Sequence, residues 1–216
     1  MSTVSKARRA GQLHYKTVSY LGDGRFLSLG YQVREALQTQ TRMLVEVGIG
    51  PGLLPALLRE YGIRVITVDI EFSLRPSVVG ALPKLPLATE CSPVVACFET
   101  LEHLPLDKLA PSLAELSRVS SDYVLVSVPD IRRSLYGSIR GAWRALRTRD
   151  GEFFVRRRRP SGPFAYDKDH FWELGNGARP STIVKNASQA GLRLVRSFRP
   201  PLHELHHFFV FRKCQP

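Results

Sequence analysis

The sequence predicts an α/β protein built on a doubly wound, mostly parallel sheet, and three observations carry that prediction. Leu44-Val45-Glu46-Val47 is a short apolar run that meets three alternating glycines, Gly48, Gly50 and Gly52. Leu53, Leu54, Ala56, Leu57 and Leu58 then recur at helical spacing, so the stretch reads as strand, tight turn and helix. Arg64 to Ile70 is a second buried-type strand ending in an acid, Asp69, seventeen positions after Gly52. Val94 to Phe98 is apolar throughout, as a strand covered on both faces is.

Composition narrows the classes. The chain has 216 residues, 44% of them apolar, enough for one domain with a substantial core and few for two. A single domain over 1–216 is expected, with an N-terminal arm and helix at 1–40 and a basic insertion at about 131–165. Charged residues make up 23%, which argues against wholesale disorder. The formal net charge is +12 and the pI about 10.1. Such a field favours anionic partners: nucleic acid, phosphorylated metabolites or an acidic membrane surface. Cys91, Cys97 and Cys214 lack metal-type spacing and read as reduced thiols of a cytoplasmic protein. Met1 to Gly11 is polar and basic, without the apolar region of a signal peptide. No apolar run is long enough to span a bilayer.

In chain order, residues 1 to about 24 read as a basic arm whose His14, Tyr15 and Tyr20 pack loosely or cap a site. Phe26, Leu29, Gly30, Val33, Ala36 and Leu37 fit an amphipathic helix. After Asp69, Pro76 limits any helix to a short one. Ser77 to Ala81 reads as a short third strand, and 82–87 as a proline-punctuated loop. A helix is expected at Leu106 to Val119, interrupted by Pro111, then a fifth strand at Tyr123 to Val128. Between 131 and 165 stand ten arginines against two acids. A helix at about Ser134 to Arg147 and a loop at Pro160 to Pro163 are expected there. The segment reads as a solvated basic face or as a contact for an anionic substrate. Ser181 to Ala190 reads as a helix with Ser181 as N-cap and Gly191 as its stop. Leu192 to Phe198 and His207 to Arg212 read as closing strands.

The glycines allow a sharp turn and a close approach of backbone to ligand, and the helix that follows offers unpaired N–H groups to an anion. Asp69 stands near the spacing at which an acid on the second strand bonds ribose hydroxyls. The pattern Glu46-x-Gly48-x-Gly50-x-Gly52 with Asp69 resembles motif I of class I S-adenosylmethionine-dependent methyltransferases. That resemblance implies a Rossmann-like fold with a seven-stranded sheet whose last strand is antiparallel. It also implies S-adenosyl-L-methionine as cofactor, bordered by Glu46, Gly48, Gly50, Gly52, Asp69, Ile70 and Glu99. In many relatives an acid after the third strand binds adenine; Ala81 and Leu82 stand there in this chain.

Glu99-Thr100-Leu101-Glu102-His103 follows the fourth strand, where a doubly wound sheet places ligands. His103 and His170 are the candidate catalytic residues, since a neutral imidazole takes a proton near neutral pH. Glu99 and Glu102 share a face on a helix start; with His103 and His170 they make a candidate four-ligand set for a divalent cation such as magnesium. The cluster resembles the metal motif of ubiquinone-biosynthesis O-methyltransferases and of small-RNA 3′-terminal 2′-O-methyltransferases. Trp172, Phe153, Phe154 and Phe164 line an acceptor pocket or form core. His203, His206 and His207 read as structural. The acceptor expected first is a small molecule or a glycan or lipid, anionic and methylated on oxygen. RNA methylated on the 2′-hydroxyl is the alternative, and a non-catalytic interaction module on the same fold is the third reading.

Overall fold

The computed structural model describes residues 23–132, 169–200 and 205–214. Helix α1 (Asp23–Gln38) leads into β1 (Met43–Val47), α2 (Leu53–Glu60), β2 (Arg64–Asp69) and the short β3 (Val78–Val79). Then follow β4 (Ser92–Phe98), α3 (Leu109–Val119) and β5 (Ser120–Pro129). The second described stretch opens with β6 (Glu173–Leu174) and β7 (Gly177–Ala178) and continues through α4 (Pro180–Gln189) and β8 (Leu192–Phe198). The third holds β9 (His206–Lys213).

Seven strands form one sheet in the order β3-β2-β1-β4-β5-β9-β8. β1 pairs in parallel with β2 and β4, β2 with β3, and β4 with β5. β9 alone runs against its neighbours β5 and β8. This is the Rossmann-like sheet with an antiparallel last strand. The chain winds outward from β1 in both directions, so a crevice opens beyond the carboxyl ends of β1 and β4, where ligands bind in such sheets.

The continuous apolar runs follow from coverage on both faces. Leu44, Ala96, Phe98, Phe208 and Val210 pack toward one side, with Ala36 of α1 and Leu54 and Leu58 of α2. Val45, Val95, Val126, Phe209 and Phe211 pack toward the other, with Leu113 and Leu116 of α3 and Ile183 and Ala187 of α4. α1 is fastened to the far strands as well. Glu35 pairs with Arg196 of β8, and the Arg34 guanidinium stands over the rings of Tyr31 and Phe198.

Three expectations are corrected. Pro111 does not divide its helix: it stands in the first turn of α3, where the backbone N–H it lacks has no partner in any case. Ser181 is not the N-cap of α4. That place is held by Arg179, without a side-chain cap bond, and Pro180 opens the helix, the position its fixed φ suits. The third strand is reduced to Val78–Val79. The parallel pair β6 and β7 was not foreseen. The helix expected at 134–147, the loop at 160–163, Phe153, Phe154, Phe164, His203 and the arm with His14, Tyr15 and Tyr20 lie outside the described residues.

Candidate active site

The glycine turn is built as its residues require. Gly48, Gly50 and Gly52 have φ of +87°, +50° and +74°, left-handed values that glycine reaches without steric cost. Gly48 N donates to Val68 O (2.8 Å) and Gly52 N to Ile49 O (3.0 Å). Thr100 Oγ1 occupies the space a Cβ on Gly48 would need, 2.1 Å from it. The turn after β4 is thereby pressed directly against the turn after β1. Gly52 is the N-cap of α2 and makes no side-chain cap bond.

Asp69 knits the crevice together. Its Oδ2 accepts from Ile49 N (2.9 Å) and its Oδ1 from Glu71 N (2.8 Å), so the acid of β2 holds the glycine turn across the sheet. Ile70 and Phe72 beside it are exposed, two apolar side chains at the crevice lip. Glu46 is buried at the end of β1, and its Oε2 has no partner among the described residues. Burial, and then the Asp69 charge, push its carboxyl well above the ordinary range. Leu82 is buried and Ala81 turns back to pair with Lys84, so neither offers a polar side chain to a base.

Two imidazole–carboxylate clusters flank the carboxyl edge of the sheet. The first centres on Glu99, whose φ is +48°, unusual for a residue with a Cβ. Ser127 of β5 donates to Glu99 Oε1 (2.6 Å). His206 Nε2 lies 3.1 Å from Glu99 Oε2, and His206 Nδ1 hydrogen-bonds the Ser28 hydroxyl of α1 (2.7 Å). Burial pushes the Glu99 carboxyl up to about 8, against the Ser127 hydrogen bond and the Arg25 charge.

The second cluster lies in the three-residue turn Leu101–His103 and the segment 169–174. Glu102 is fully buried and neither of its oxygens has a partner among the described residues. Burial, then the charge of Glu99, raise its carboxyl well above the ordinary range. One ligand atom each of Glu102, His103 and His170 lie within 4.8 Å of one another. His103 Nδ1 donates to Asp169 O (3.0 Å), and His170 Nδ1 meets Glu173 Oε1 (2.7 Å). Phe171 N donates to Glu102 O (2.8 Å) and Trp172 Nε1 to Leu104 O (3.0 Å), which staples the two segments together. Trp172 is core, 1% exposed. Three of the four proposed ligands therefore converge. Glu99 is not among them, and its oxygens are taken by Ser127 and His206.

A third cluster is a structural tie. Asp130, fully buried, accepts from Arg132 Nε (2.9 Å) and Nη2 (2.7 Å), from Arg199 Nε (3.3 Å) and from His207 Nδ1 (3.0 Å). Burial pushes the Asp130 carboxyl up, but the hydrogen bonds of His207 and Arg132 and the Arg199 charge outweigh it and hold the group well below the ordinary range. His207 belongs to this tie, whereas its neighbour His206 stands beside Glu99. Nothing in its local sequence marks it. The register does, since β9 pairs His206 with Pro129 and so delivers it to the end of β5, beside Glu99.

Residues 45–122 match the family model described as a methyltransferase domain. Among solved structures, the chain is similar to magnesium protoporphyrin IX methyltransferase from Synechocystis with bound S-adenosylhomocysteine. The identity is 15%, the TM-score 0.61, and the match covers 99% of this chain and 88% of that one. It is also similar to 1,6-didemethyltoxoflavin-N1-methyltransferase from Burkholderia thailandensis, bound to 1,6-didemethyltoxoflavin and S-adenosylhomocysteine. Here the identity is 17%, the TM-score 0.61 and the coverage 98% and 87%. A methyltransferase from Aquifex aeolicus matches at 13% identity and a TM-score of 0.54, over 84% of this chain and 89% of that one. Comparison with curated protein sequences finds no match. At these identities the likeness to the solved structures is one of fold. The matched domain contains the glycine turn and Asp69, and the fold is that of these S-adenosylmethionine-dependent methyltransferase structures.

Proposed function

We propose that the protein transfers the methyl group of S-adenosylmethionine to a hydroxyl of a small-molecule or glycan-type acceptor. The observation that carries this reading is the left-handed glycine turn, bonded through Ile49 N to Asp69 at the point where the strand order reverses. Gly48, Gly50 and Gly52 let the backbone approach the methionyl end. Asp69 keeps lone pairs for ribose hydroxyls, Ile70 covers the adenine, and Glu46 and Glu99 border the sulfonium side. The sulfonium is itself the activated group, so the protein's task is to align the acceptor oxygen and receive its proton. His103 and His170 are the acceptor-side imidazoles, with His170 oriented by Glu173. Calorimetric titration with S-adenosylhomocysteine tests the reading. Binding is expected for the wild type and none for Gly50→Arg, whose side chain would fill the turn; a wild type that gives no heat removes the proposal.

A second feature is favoured by the orphaned Glu102 carboxylate. An acid oxygen and two imidazoles within 4.8 Å fit a divalent cation. Glu102, His103 and His170 would hold it, and it would lower the pKa of an acceptor hydroxyl. An RNA 2′-hydroxyl is then the alternative acceptor. Metal analysis of protein purified without chelator should find the cation in the wild type and lose it in Glu102→Ala. Equal trace metal in both discards the cation.

Among the described residues, no helix is long and apolar enough to cross a membrane.

A further inference from the structure

We infer that His206 is a positioning residue of the methyl-transfer site: it holds Glu99 so that this carboxylate, and not only the His103–His170 side, receives the acceptor's proton. The inference rests on the methyltransferase reading above and extends it to the first residue of β9.

The geometry supports it from four directions. Glu99 and Thr100 form the turn that packs against Gly48, with Thr100 Oγ1 in the place of the missing Cβ. Glu99 thus immediately precedes the residue that closes on the turn proposed to receive the methionyl end of the cofactor. Its backbone is left-handed at φ +48°, a conformation that strains a non-glycine residue and clusters at functional sites. Its two oxygens are held separately, one by Ser127 and one by His206. His206 in turn is braced by Ser28, 2% exposed, from α1. The chain Ser28–His206–Glu99–Ser127 thus joins four elements at one carboxylate. Packing alone does not ask for four polar groups in a line there. Of the other charges acting on Glu99, Arg25 attracts and Glu173 repels.

The chemistry suits the arrangement. The acceptor O–H delivers its proton to Glu99 as the new O–C bond forms. The S–C bond breaks, and its electron pair stays on sulfur as a neutral thioether. A bound sulfonium favours the ionised form of Glu99, so one positive charge, the sulfonium, and one negative charge, the carboxylate, disappear in the same step. In poorly solvated surroundings such mutual neutralisation is favourable. The proton is then on Glu99, and His206, 3.1 Å from its Oε2, is placed to pass it on.

The test uses S-adenosylhomocysteine and sinefungin, an analogue that carries an ammonium where the methyl stands. Wild-type protein should bind sinefungin roughly tenfold more tightly than S-adenosylhomocysteine, the effect of about 1.4 kcal/mol from one close opposite charge. Glu99→Gln should bring the ratio to about one. His206→Phe should lower it several-fold, and His206→Gln, which keeps an N–H toward Glu99, should restore it. Arg212→Ala, on the exposed far end of β9, should leave it intact. A wild-type ratio near one, or a ratio unmoved by Glu99→Gln or His206→Phe, overturns the inference. Should His206→Phe fail to fold, the imidazole nitrogen resonances of His206 in wild-type protein decide: they must shift when sinefungin replaces S-adenosylhomocysteine, and a fixed signal overturns the inference. Failure of wild type to bind either compound sinks instead the cofactor reading on which it stands.

Discussion

Gly48 is the residue at which two turns of the sheet edge meet. Its φ of +87° and the 2.1 Å approach of Thr100 Oγ1 to its absent Cβ are two separate obstacles to any larger residue. Gly48→Ala is expected to cost about 1–3 kcal/mol through left-handed strain alone, and more through the collision. Adding Thr100→Ala should recover the collision but not the strain, so the double variant should fall between wild type and Gly48→Ala in chemical denaturation. A double variant no better than the single would mean that Thr100 yields freely. The glycines and Asp69 were legible in the sequence because each occupies a place set by local backbone geometry. His206 and the isolation of Glu102 were not. They depend on which residues arrive from β9 and from the segment at 169–174, and no spacing within the chain records that.

At the scale of elements, the segment at 169–174 and the start of β9 are tied to the sheet by different means. Trp172 and Phe171 bond the turn at 101–104 directly. Asp130 gathers Arg132, Arg199 and His207 around one buried carboxylate. Asp130→Asn is expected to destabilise the fold by roughly 2 kcal/mol near neutral pH, since it leaves buried donors short of a charged acceptor. The Asp130 carboxyl is held below its ordinary value of 3.8 in the folded protein. Its contribution is therefore present above that value and fades as pH falls through it. The difference in melting temperature between wild type and Asp130→Asn should hold steady down to about pH 4 and shrink below it; a difference that stays constant below about pH 4 would assign the effect to packing. Helices and strands were readable from apolar periodicity, including both faces of the buried strands. Pro111 and Ser181 were misjudged because a proline and a serine mark a helix start equally well, and the fold settles where the first turn lies.

For the whole molecule, charge and topology act together. Ten arginines against two acids at 131–165 account for much of the net +12, and they follow the strand that ends at Pro129. Binding of an anionic acceptor such as short RNA or a phosphorylated glycan should weaken about tenfold or more between roughly 50 and 200 mM salt, whereas S-adenosylhomocysteine affinity should change little. Acceptor binding indifferent to salt would detach the basic segment from the reaction. The sheet order itself followed from the alternation of strands and helices and from the family resemblance. Its consequence for chemistry lies in the one strand that reverses. A parallel strand brings its last residues to the ligand-bearing edge, but β9 brings its first. The aromatic stretch from Phe208 to Phe211 then extends away from that edge into the core. Substitution at the opening of this strand therefore alters the surroundings of Glu99 while the hydrophobic body behind it stays untouched.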